Sequence, residues 1–64
     1  MTRSFQHDGS QYRIGEAATI NGQRRRVHWQ RWRLMSGAYV LIRSIWLPWR
    51  STRRDVTERF SELC

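Results

Sequence analysis

The chain has 64 residues, a formal net charge of +7 and a pI of about 11.5. Its twelve cations are all arginine and face only five acids. Sixty-four residues make one domain, which buries only about 60% of the surface its unfolded form exposes, so a fold with separate cofactor and substrate halves is excluded.

Residues 1–10 (MTRSFQHDGS) have no hydrophobic period and end on a turn-like Asp8-Gly9-Ser10. They predict a flexible N-terminal arm ahead of a single small basic domain over 11–64. They also lack the apolar stretch of a secretory signal. Residues 12–20 alternate, with Tyr12, Ile14, Ala18 and Ile20 on one face, which predicts a half-buried strand. Asn21-Gly22 follows at once and suits a type I′ turn, which needs positive φ at both central positions.

Residues 23–35 are the expected second strand, with a change of phase midway. Val27 and Trp29 share one parity, Trp32 and Leu34 the other. Either the strand is apolar on both faces, or a bulge near Gln30-Arg31 restores the register. Ser36-Gly37 is the next turn. Residues 38–47, rich in β-branched and aromatic side chains, form a third strand that Pro48 ends. The period then changes. Val56, Phe60 and Leu63 sit at i, i+4, i+7, a helical stripe. Thr52 and Asp55 have the spacing of a capping box, and Arg54–Glu58 and Asp55–Arg59 are i,i+4 pairs of opposite sign. The expected fold is α+β, a three-stranded antiparallel meander followed by one C-terminal helix (β-β-β-α).

Two-residue turns without bulges set Ile14 against Trp29, Glu16 against Val27, Val27 against Trp46 and Trp32 against Leu41. One face then carries Tyr12, Ile14, Ile20, Val27, Trp29, Val40, Ile42 and Trp46, enough to meet the helical stripe. The other carries Trp32, Leu34, Tyr39, Leu41, Ile45 and Leu47 with Arg13, Arg24, Arg26 and Arg43. One helix covers one face, so the second is a candidate interface. A homodimer that buries it is one expected use.

Residues 17–54 hold nine arginines and no acid. Codon bias accounts for arginine in place of lysine, but not for this clustering. Guanidinium groups spaced along a strand can follow a phosphate backbone, which makes Arg24, Arg25, Arg26, Arg31, Arg33 and Arg43 candidate phosphate contacts. His28 and Trp32, interleaved with them, are candidate base-stacking groups. The expected function is non-enzymatic binding of nucleic acid, DNA or RNA. Phages and other mobile elements are one source of basic chains this short. The alternative is an inhibitor or adaptor that docks on an acidic surface of a host protein, with Trp32, Leu34, Tyr39 and Leu41 as anchors.

Other chemistries have little support. His7, His28 and Cys64 lack metal-site spacing, and no glycine-rich phosphate loop is present, so neither cofactor nor metal is expected. The lone Cys64 excludes an internal disulfide and fits a reducing, cytoplasmic setting. The apolar stretch 34–49 is broken by Arg43 and Pro48 and falls short of the ~20 residues that span a bilayer. Alternation also argues for a folded sheet over a membrane-surface helix.

The order of elements resembles the small three-stranded DNA-binding arm domains of tyrosine integrases. The resemblance rests on Tyr12-Arg13-Ile14, Asn21-Gly22-Gln23-Arg24-Arg25-Arg26 and residues 51–63. It implies a sheet laid in the major groove with the helix packed behind it. The second hairpin here is longer and richer in tryptophan than that pattern.

Overall fold

Three two-residue turns build the sheet. In each, both central residues have positive φ: Asp8-Gly9, Asn21-Gly22 and Ser36-Gly37, with φ of 49° and 79°, 52° and 76°, and 52° and 83°. This is the type I′ geometry, whose twist matches that of the flanking strands. The computed structural model describes residues 3–63. It shows β1 (Phe5–His7), β2 (Ser10–Ile20), β3 (Gln23–Met35), β4 (Ala38–Pro48) and α1 (Arg53–Glu62). The strands form one antiparallel sheet in the order β1-β2-β3-β4.

The fold is α+β, but the sheet has four strands instead of three. The additional strand, β1, lies within the segment expected to be an arm. Phe5 pairs with Tyr12 and its ring stacks on Tyr12 at 5.0 Å. It also meets Trp29 edge-on at 5.7 Å. Arg3 fastens the same segment to the far side of the sheet, donating to the carbonyls of Trp49 (3.2 Å) and Ser51 (2.9 Å).

Three bulges set which side chains share a face. Between β2 and β3 the register shifts at Gly15 and again at Arg25, and the two shifts cancel. Ile14 therefore faces Trp29 as expected, whereas Glu16 faces His28 and Ala17 faces Val27. Between β3 and β4 the extra residue is Ile42, so Trp32 still faces Leu41 but Val27 faces Leu47. A one-residue slip exchanges faces. Leu47 is consequently 8% exposed and Trp46 41% exposed, the reverse of the expected assignment. Ile20, Val40 and Ile42 are exposed as well, and Ile45 packs against the core.

The core is Tyr12, Val27, Trp29, Leu47, Val56 and Phe60, with Phe5, Ile14, Ile45 and Trp49 at its margin. Helix α1 supplies Val56 and Phe60, and Leu63 ends it as the C-cap. The capping box forms: Asp55 N–H donates to Thr52 Oγ1 (3.1 Å) and Thr52 N–H to Asp55 Oδ2 (2.9 Å). These bonds hold the Asp55 carboxyl below its ordinary value. With Asp55 so engaged, Arg59 pairs with Glu62 (3.0 Å) instead, and Arg54 keeps its expected partner Glu58 (2.9 Å). The resulting body measures 43 × 21 × 18 Å, because the β3–β4 hairpin extends beyond the helix that covers its middle.

Candidate nucleic-acid interface

Cross-strand partners project to the same side, so the register and the buried positions define two faces. Val27 and Trp29 point to the helix. The neighbouring β3 positions His28, Gln30, Trp32 and Leu34 therefore point to the face that α1 leaves open. Their partners are Trp46 and Ser44, then Leu41 and Tyr39, on β4, with Glu16, Arg13 and Gln11 on β2.

Two aromatic groups occupy this open face. In the first, the His28 and Trp46 rings lie 5.0 Å apart. In the second, the Arg13 guanidinium sits 5.1 Å from the Trp32 ring and 5.3 Å from the Tyr39 ring. Arg13 also donates to Gln11 Oε1 (2.5 Å), and Trp32 Nε1 donates to Gln30 Oε1 (3.1 Å). The two groups are four residues apart on β3, or about 13 Å. Gly15 makes room between them. A Cβ there would lie 2.8 Å from Gln30 Nε2 and 3.1 Å from His28 Nδ1.

The candidate arginines do not form one cluster. Arg26, paired with Ala18 and Pro48, adjoins His28 at the edge of the open face. Arg25 is the bulged residue, and its carbonyl accepts from Trp49 N–H (3.0 Å). Arg24 lies against Trp49 on the helix side, 4.9 Å from the ring centroid. Arg31 and Arg43 face each other on the helix side and each has an acceptor. Arg31 Nε donates to Ser10 Oγ (3.0 Å), and Arg43 Nη1 to the Leu63 carbonyl at the helix C-terminus (2.9 Å), where the helix dipole favours a cation. Arg33 is exposed beside Val40.

The four candidate protein anchors do come together. Trp32 faces Leu41, and Leu34 faces Tyr39, on the open face at the far end of the hairpin. Met35, Val40 and Ile42 are exposed around them.

Sequence reasoning missed Trp46 and Gln30 as members of the open-face site, and it put Arg13 on that face without counting it among the candidate contacts. Arg13 was legible from its parity. Trp46 was hidden because nothing in residues 38–47 marks Ile42 as a bulge. Among the described residues no group of three or more His, Cys, Asp or Glu side chains could hold a metal, and no helix is long and apolar enough to cross a membrane. Cys64 lies outside the described residues.

No family model matches the chain, and comparisons with curated proteins and with solved structures return no match. The likeness to integrase arm domains expected from the sequence finds no support in them, and the sheet has four strands where that pattern has three.

Proposed function

We propose that the protein is a non-enzymatic binder of single-stranded nucleic acid that stacks bases on the open face of its sheet. The observation that carries this reading is the pair of aromatic groups, His28–Trp46 and Trp32–Arg13–Tyr39, on the face without a helix, with Trp46 and Tyr39 exposed and His28 and Trp32 half-buried. Aromatic rings on a sheet accept unpaired bases, and platforms of this kind stack two or three. Arg13 and Arg26 neutralise phosphates beside the rings. A base-paired duplex hides the faces that such rings need, so single strands are the preferred class.

The test is a fluorescence-anisotropy titration with labelled single-stranded DNA, RNA and duplex DNA at low and physiological salt. Single strands bind more tightly than duplex, with affinity falling as salt rises. Duplex binding that equals or exceeds single-strand binding contradicts the reading.

A second reading rests on a different observation. Leu34, Met35, Tyr39, Val40, Leu41 and Ile42 are all large, apolar and exposed at one end of the hairpin. Such a patch marks a protein contact, with an acidic partner surface or with a second copy of the chain. The Ile42 bulge and Arg43 disfavour pairing along the β4 edge, so contact goes through side chains. Sedimentation velocity over a wide concentration range tests the second copy. A single monomeric species throughout removes it.

A further inference from the structure

At the Asn21-Gly22 end, β3 and the chain leaving β4 enclose an open notch of about 520 Å³, lined by Gln23, Arg24, Arg25, Pro48, Trp49 and Arg50. Half of these residues are arginine and none is acidic. Glu16 lines an adjoining recess with Arg24 and Trp49, outside the notch. The backbone around the notch is pinned at two points. Trp49 N–H donates to the Arg25 carbonyl, and Ser51 N–H donates to the Pro48 carbonyl, each at 3.0 Å. The first bond ties the bulge to the strand exit. The second closes the turn that presents Arg50.

The arginines here differ from most others in the chain. Arg3, Arg31, Arg43, Arg54 and Arg59 each donate to a protein oxygen. Among the described residues, the Arg25 and Arg50 side chains have no hydrogen-bond, ion-pair or ring partner. Arg24 is held against Trp49, an arrangement that fixes the guanidinium while leaving its N–H groups without a protein acceptor among the described residues. Two unpaired guanidiniums and one oriented guanidinium around an open notch match an anion with several acceptor oxygens.

We propose that this notch is a binding site for the terminal phosphate of a nucleic-acid strand. The proposal rests on the reading of the open face as a single-strand platform. It adds an end-specific contact, because the notch lies past Arg26 at the Asn21-Gly22 end, where its lining runs from Pro48, the partner of Arg26, to Arg24 and Trp49 on the helix side. A terminal phosphomonoester carries close to two negative charges and three acceptor oxygens. An internal diester carries one charge, so the notch favours the monoester through charge-assisted bonds.

The experiment titrates the full chain with internally labelled oligomers of one sequence, ending in a 5′-phosphate, a 3′-phosphate or hydroxyls only. Inorganic phosphate is added as a competitor in a second series. The expected result is that one phosphorylated end binds on the order of tenfold tighter than the hydroxyl-ended strand. Arg50→Gln removes that preference and leaves the hydroxyl-ended affinity within about twofold. Inorganic phosphate removes the same preference in the unaltered protein. Arg25→Gln is the second variant, with circular dichroism to verify folding. Equal affinity for all three oligomers overturns the notch and leaves the open-face reading standing. So does a preference that survives both substitutions. No binding to any oligomer overturns the open-face reading itself.

Discussion

The two ends of the β3–β4 ladder are made from the same two strands and present opposite chemistry. At the Asn21-Gly22 end, the Arg25, Arg26 and Arg50 side chains have no protein partner among the described residues, and Arg24 is held by Trp49. At the Ser36-Gly37 end the exposed side chains are Leu34, Met35, Tyr39, Val40 and Leu41, with Arg33 beside them. Between the ends, the helix covers one face and leaves His28, Trp32 and Trp46 on the other. Net charge therefore describes this molecule poorly. Many of its arginines are engaged in internal contacts, and of those without a partner among the described residues Arg25, Arg26 and Arg50 gather at one end while Arg33 lies at the other. Each end suits a different class of contact, with the aromatic face running between them.

The comparison breaks most severely if the middle is removed. Phe60→Ala deletes a buried ring that meets Tyr12 at 5.3 Å, and large aromatic truncations cost about 3–5 kcal/mol. A domain this small has stability of that order, so both ends should lose structure together in thermal denaturation followed by circular dichroism. Separate transitions for the two ends would show that the helix is not their common support.

Next in size is the aromatic face. Trp46→Ala should weaken single-strand binding by about 1–3 kcal/mol, as measured by anisotropy, because each stacked base contributes in that range. Its effect on stability should be smaller, since the side chain is 41% exposed. Had Trp46 been a core residue, the order of the two effects would be reversed. The basic rim gives a finer test. Replacing both Arg13 and Arg26 with Gln should lower the salt slope of log affinity by about 1.4, because each single-strand phosphate that an arginine neutralises adds about 0.7 to that slope. Arg26→Gln alone should leave the apolar end's behaviour in sedimentation unaltered, whereas Arg13 lies against Tyr39 of that end.

The smallest effect concerns the cap. Thr52→Ala removes the bond from Asp55 N–H and should cost about 1 kcal/mol in denaturant unfolding. The Asp55 carboxyl is held below its ordinary value by its bonds with Thr52. Its contribution is therefore complete above the unfolded carboxylate range and disappears as pH falls through the lowered value. Acidification should destabilise the wild-type chain more than Asp55→Asn, whereas Thr52→Ala keeps the backbone N–H that chiefly lowers the Asp55 carboxyl and stays acid-sensitive.

Much of the fold could be read from local chemistry. Asn21-Gly22, Ser36-Gly37, the Thr52–Asp55 spacing and the Val56/Phe60 stripe each specify their geometry through a few backbone angles or one helical period. The strand β1 was also signalled, because Asp8-Gly9 suits the same turn type as Asn21-Gly22. Three residues are too few to show alternation, however, so the turn alone carried that signal. The bulges were the opaque part. Gly15, Arg25 and Ile42 each add one residue to a ladder, and no composition rule marks Ile42. That single addition moved Trp46 to the open face and Leu47 to the core. It also put Ile45 and Arg43 on the helix side, where Arg43 reaches the helix end. The candidate site was thus half legible: Arg26, His28 and Trp32 lie together and Arg31 opposite them as parity implies, while the bulges at Arg25 and Ile42 turn Arg24 and Arg43 to the helix side.

The open face can be tested most directly through its indoles. The four tryptophans divide evenly, Trp32 and Trp46 on the open face, Trp29 and Trp49 on the helix side. A 15N-resolved spectrum of the indole N–H groups, recorded during titration with a hydroxyl-ended single-stranded oligomer, separates them. The account predicts that the Trp32 and Trp46 signals move while Trp29 stays fixed. Movement of Trp29 and Trp49 with Trp32 and Trp46 unchanged would contradict it.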